Sequence, residues 1–185
     1  MTGRSALRVL FVLYLVLLVW LVLWKLEIPY AGDGGLRHLK LVPFVPTAEH
    51  GASAPSEVVA NLLLFVPFGL YLGILVPSRP WWKLAAVVAA SSLFLEITQY
   101  VLAVGSSDVT DVIVNTAGGV AGLGLLALAR RGLQDRTRTV VTRMCSIGTV
   151  IALIAVGLFI ASPVRYAPVR DIHIPVVSGA SETSD

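Results

Sequence analysis

The sequence predicts an all-α protein, a polytopic transmembrane helical bundle of five helices. Three observations predict it. Of the 185 residues, 56% are hydrophobic and only 14% are charged, whereas about a quarter of an ordinary soluble domain is charged. The hydrophobic residues gather into long runs, and the breaks between runs are rich in glycine, proline or arginine. The few polar residues inside the runs recur at helical spacing, as side chains do when they face protein rather than lipid.

Leu7 to Leu26 is one apolar run broken only by Arg8 and Lys25 near its ends. About twenty apolar residues at ~1.5 Å rise cross a ~30 Å hydrocarbon core. Trp20 and Trp24 stand where an interfacial aromatic belt belongs. A cleaved leader is the rival reading, with Arg4 and Arg8 as its basic start and Ala52-Ser53-Ala54 as its cleavage motif. That motif lies too far beyond a run that is itself too long, so a first helix is expected instead.

Glu27 to Glu57 carries Gly32, Gly34, Gly35, Pro43, Pro46 and Pro55, a density that forbids a continuous helix. Its stretch Leu39 to Pro46 is apolar enough to lie in the interface or to form a lid. Val58 to Val76 is the second helix, kinked by Pro67 and marked by Gly69 and Gly73, a G-x-x-x-G pair that lets another helix approach closely. Trp82 to Val104 is the third, with Ala85, Ala89, Ser92, Glu96, Gln99 and Ala103 on one stripe. Val109 to Ala129 is the fourth. Asp108 is its expected cap, and Asp111, Asn115, Gly118 and Gly122 share one face.

Arg130 to Arg143 reads as a basic loop, Met144 to Ala161 as a shorter fifth helix stopped by Pro163, and 162–185 as an extended or disordered tail. The arginines and lysines set the expected orientation. With the N-terminus inside, Arg4, Arg8, Arg79, Lys83 and the cluster Arg130 to Arg143 are cytoplasmic, and the turn Gly105 to Thr110 has no basic residue. Asn61, Glu96, Gln99, Asp108, Asp111 and Asn115 then all lie in the outer half. A charged group costs about 2.5 to 3.5 kcal/mol at the bilayer centre on insertion scales, so these six are expected to build one ligand-facing site in a pocket open to the outside or the outer leaflet. Glu96 is expected to hydrogen-bond Asp111, Asn115 or Asn61.

Several chemistries find no support. His38, His50 and His173 lack metal-ligand spacing, so neither metal nor cofactor is expected, and Cys145 alone cannot form an internal disulfide. The basic segment reads as an orientation signal that attracts anionic lipid, not as a nucleic-acid surface. No nucleophile elbow, H-E-x-x-H or Ser/His/Asp set is present, so no catalytic residue is assigned. A carboxylate pair of Glu96 with Asp108 or Asp111 is the one enzymatic alternative, and a purely structural use of the same polar contacts is the other.

In order, Pro43-Phe44, Asn61 to Gly69 (NLLLFVPFG), Glu96-x-x-Gln99 and Asp108-x-x-Asp111-x-x-x-Asn115-x-x-Gly118 resemble the VanZ-like family of small bacterial membrane proteins, named for a teicoplanin-resistance protein. The resemblance covers roughly Leu7 to Arg130. It divides the chain into a four-helix membrane domain at 1–130, the basic cytoplasmic loop with a fifth helix at 131–161, and an extracytoplasmic tail at 162–185. Many family members carry an arginine shortly before the first aspartate of the last motif. This chain has Gly105-Ser106-Ser107 there, and it must either do without that arginine or borrow Arg37, Lys40 or Arg165 from the outside loops. The resemblance implies a multi-pass protein of the bacterial plasma membrane with an envelope role linked to glycopeptide resistance, and it implies no reaction. The expected partners are a membrane lipid or lipid-linked wall precursor, or a lipoglycopeptide.

Overall fold

The structure, a computed structural model, describes residues 3–25, 29–32, 39–44, 55–105 and 107–161. They form an all-α bundle of α1 (Gly3–Trp24), α2 (Pro55–Leu75), α3 (Trp81–Leu102), α4 (Val109–Leu133) and α5 (Thr137–Ala161). Four stretches are long and apolar enough to cross a membrane: Ser5–Trp24, Pro55–Leu75, Trp81–Leu102 and Val109–Ala161. The last is 53 residues long and holds both α4 and α5, so length and composition alone resolve four spans rather than five.

The basic segment Arg130 to Arg143, expected as a loop, is helical. It supplies the end of α4, a single 3-10 turn at Gln134–Arg136 and the start of α5. Arginine is a good helix former, and Arg130 and Arg131 meet the negative end of the α4 dipole. The chain breaks where Gln134 takes φ 45°. Thr137 Oγ1 holds the bend, donating to the Gln134 and Ala129 carbonyls at 2.7 and 3.2 Å. α2 begins earlier than expected, with Pro55 in its first turn, where a missing N–H costs nothing. α3 ends two residues early because Ala103 adopts the left-handed conformation, φ 53°. The Ala103 and Val104 N–H groups then close on the Tyr100 and Gln99 carbonyls.

Lipid offers little hydrophobic drive for helices to associate, so close packing must hold the bundle. The tightest contact joins α2 and α4, which run parallel. A Cβ at Gly118 would strike the Leu62 carbonyl, one at Gly122 the Val66 carbonyl, and one at Gly69 the Gly119 carbonyl. The two glycine pairs therefore meet as the sequence suggested, though Gly73 faces only the Leu126 and Leu123 side chains. Gly119, outside both pairs, receives Val88 of α3.

α1 packs through aromatic rings, with Phe11 and Tyr14 against Phe68 and Tyr71 of α2 at centroid distances of 5.3 to 6.4 Å. Tyr14 also donates to the Leu64 carbonyl at 2.6 Å, close to where Pro67 interrupts the α2 ladder. α5 lies against α1 and α2. Tyr71 Oη meets Thr149 Oγ1 at 2.9 Å and the Cys145 carbonyl at 3.3 Å.

Of the connection Glu27 to Glu57, the described part includes one element that sequence periodicity does not mark. β1 (Leu39–Lys40) pairs in parallel with β2 (Ser107–Asp108), placing Leu39 opposite Ser107 and Lys40 opposite Asp108. Successive strand residues point to opposite faces, so Lys40 is buried while Leu39 and Leu41 are exposed. The motif Ala52-Ser53-Ala54, the three histidines, Arg37 and the tail 162–185 with Arg165 lie outside the described residues.

Candidate functional site

The turn from α3 into α4 gathers the polar residues. Asp108 is the cap of α4, with extended backbone (φ −123°, ψ 122°) and Oδ1 accepting from the Thr110 N–H at 2.7 Å. This satisfies one of the four orphan amides at a helix start. Its second oxygen, Oδ2, lies 3.0 Å from Lys40 Nζ. Its own N–H donates to Glu96 Oε2 at 2.9 Å, and Ser107 Oγ donates to the Glu96 carbonyl at 2.5 Å. Lys40, Glu96, Ser107 and Asp108 are all buried, none more than 8% exposed.

An isolated buried charge is strongly penalised, so buried carboxylates need cations and donors. Here Lys40 supplies the cation, β2 supplies the N–H and Ser107 ties the turn to α3. Of the three cations considered as stand-ins, Lys40 is the one described, and it lies against Asp108. Thr110, fully buried, adds a further link by accepting the Phe44 N–H at 3.1 Å. Phe44 itself is held at φ 60°, a conformation that costs a non-glycine residue energy.

The six expected site residues do not form one cluster. Glu96 and Asp108 share the network just described. The expected bonds from Glu96 to Asp111, Asn115 or Asn61 are not made, because the turn closes its main chain onto the Glu96 carboxylate. Asn61 of α2 instead stands beside Asp111 of α4. Asn115 Nδ2 donates to Ser92 Oγ at 2.9 Å, joining α4 to α3. Gln99 points away from Glu96, and its Nε2 donates to the Val22 carbonyl of α1 at 2.8 Å. Among the described residues Gln99 Oε1 and Asn115 Oδ1 are buried without partners, and no three His, Cys, Asp or Glu side chains come together as a metal site would need.

Beside the network lies a groove of about 320 Å³. Glu96, Ser107 and Asp108 form its polar floor, and Leu39, Leu41, Leu93, Ile97 and Tyr100 are among its apolar walls. Those five wall residues are all exposed on the outside of the bundle, so the groove opens on its side. Lys40, Ser107, Ser92 and Thr110 were not among the expected site residues. Ser92 carried a signal in its place on the Glu96 stripe, four residues before it; Lys40 carried a fainter one, as a lone cation in the apolar stretch Leu39 to Pro46.

The sequence model of the VanZ/LLP1 family matches residues 11–130. A relative from Enterococcus faecium described as Protein VanZ is 38% identical over 136 residues, covering 72% of this chain and 81% of that protein. No solved structure matches. The matched region contains α2, α3, β2 and most of α1 and α4, together with all six residues singled out above. By extent of match and by identity, this membrane protein belongs to the VanZ/LLP1 family.

Proposed function

We propose that the protein is a non-enzymatic factor of the bacterial plasma membrane that binds an amphipathic envelope ligand, a lipid-linked wall precursor or a lipoglycopeptide, and so contributes to teicoplanin-type resistance. The observation that carries this reading is the groove between α3, α4 and β1. It offers an apolar wall for a lipid chain and a hydrogen-bonding floor for a polar head, and it opens on the side of the bundle. The carboxylate-pair enzyme has less support. Both Asp108 oxygens are engaged, by Lys40 and by Thr110 N–H, and the two carboxyl groups are linked through a backbone amide rather than to each other.

The test is a resistance assay in a susceptible Gram-positive host. Leu93→Trp and Ile97→Trp change side chains that are 51% and 53% exposed, so they fill the groove without entering the bundle. They should abolish the gain in teicoplanin resistance while leaving the melting temperature unchanged, and Glu96→Gln should weaken it. Full resistance from both tryptophan variants would remove the groove from the mechanism.

The same reading sets five crossings, with the N-terminus inside and the C-terminus outside. It is supported by the break at Gln134 and by the return of α5 along α1 and α2. Cysteines introduced at Tyr30 and Ala161 in a Cys145→Ser background should react with an impermeant thiol reagent on intact cells. A cysteine at Gly132 should react only after lysis. Labelling at Gly132 on intact cells would reverse the orientation.

A further inference from the structure

The opposite end of the bundle, where α1 begins and α2 and α4 end, holds a second cavity of about 480 Å³. Three guanidinium groups from three helices border it: Arg8 of α1, Arg130 of α4 and Arg138 of α5. Asp135 also borders it, but among the described residues no carboxylate pairs with any of the three arginines. Its inner wall is apolar, built by Ile74, Leu75 and Leu126.

Arg130 is held in place for a local reason. The Gly73 carbonyl would accept from residue 77 in an unbroken helix, but residue 77 is proline and has no N–H. Arg130 Nη2 donates to that carbonyl instead, at 2.7 Å. This fixes the guanidinium at the cavity wall and leaves its other N–H groups for a further acceptor. Arg138 stands in the first turn of α5, where the helix dipole also favours an anion.

We infer that this cavity binds the phosphodiester headgroup of an anionic phospholipid, with Arg8, Arg130 and Arg138 around the phosphate and the start of the acyl region on the Ile74, Leu75 and Leu126 wall. The size and the apolar wall favour a lipid over free phosphate, which would use only the rim. A bound headgroup, with its single negative charge, would also lower the repulsion among the three like charges and so join α5 to α1 and α4. The site is independent of the groove at the other end, and each can fail without the other.

The test uses the full chain in one neutral detergent, with phosphatidylglycerol, phosphatidylcholine or inorganic phosphate added. Native mass spectrometry should show one phosphatidylglycerol retained per chain, and the melting temperature should rise with phosphatidylglycerol alone. Arg8→Gln and Arg138→Gln should each weaken phosphatidylglycerol binding about fivefold, while Lys83→Gln and Arg131→Gln, basic residues at the same end but outside the cavity, should change it less than about twofold. Equal weakening by all four variants would mean diffuse surface charge and overturn the site. So would a wild-type chain that shows no preference for phosphatidylglycerol over phosphatidylcholine, a result that needs no variant. Equal protection by inorganic phosphate would overturn the assignment to a lipid.

Discussion

Replacing Gly122 by alanine is expected to lower the melting temperature sharply, whereas the same change two residues on, at Gly124, is expected to raise it slightly or leave it unchanged. A methyl at Gly122 runs into the Val66 carbonyl and the Leu70 amide of α2, and one at Gly124 meets nothing within 4 Å. Backbone cannot swing aside as a side chain can. The α2 and α4 axes must therefore separate, and overpacking of this kind costs about 1 to 3 kcal/mol or more. Alanine's better helix propensity, worth up to about 1 kcal/mol, offsets part of that at Gly122 and acts alone at Gly124. Gly118→Ala and Gly69→Ala should behave like Gly122→Ala, since each meets a carbonyl of the facing helix. Gly73→Ala should fall between, because it meets only the Leu126 and Leu123 side chains, which can turn. Leucine at Gly118 or Gly122 should prevent folding. The measurement is one melting series in one detergent, and equal melting temperatures for Gly122→Ala and Gly124→Ala would dissolve the close α2–α4 contact.

This ranking shows what the sequence could and could not disclose about the fold. The apolar runs and both G-x-x-x-G pairs are local patterns, and they led to the right helices and to faces that allow close approach, without saying which helices meet. Which glycine meets backbone and which meets a side chain depends on the rotation of α2 against α4, and no single-helix pattern contains that rotation. The misreading of Arg130 to Arg143 as a loop has a different origin. Charge density was taken as a sign of irregular chain, yet arginine supports helix, and the break is confined to Gln134 and the turn that follows.

The site was legible where its residues share an element and illegible where they meet across the fold. Glu96 stood out as an acid inside an apolar run, and Asp108 as a cap. The backbone amide that Glu96 binds belongs to a turn whose course depends on a two-residue strand pairing between positions nearly seventy residues apart in sequence. Gln99 shows the converse. It shares the polar stripe of Glu96, yet its amide donates to the Val22 carbonyl and so serves α1 instead.

Lys40→Met is expected to be among the most damaging single changes outside the glycine contact, although Lys40 lies in a two-residue strand outside the helices. The Lys40 and Asp108 side chains are 9% and 8% exposed and their charges are 3.0 Å apart. Breaking a buried ion pair by removing one member costs about 3 to 5 kcal/mol. Asp108→Asn should cost nearly as much, even though asparagine can still cap α4, because it removes the negative charge 3.0 Å from the buried ammonium. The double variant Lys40→Met/Asp108→Asn removes both charges and should be more stable than the sum of the single losses implies. A coupling of about 0.5 to 3 kcal/mol is the range for residues in direct contact. Melting temperatures of the four proteins in one detergent complete the cycle. If the pair also holds β1 over the groove, the single variants should lose resistance and the double variant should regain part of it. Single losses below about 1 kcal/mol, the value of a solvated surface pair, would show that water reaches Lys40 and Asp108 in the membrane and that β1 is held by other contacts.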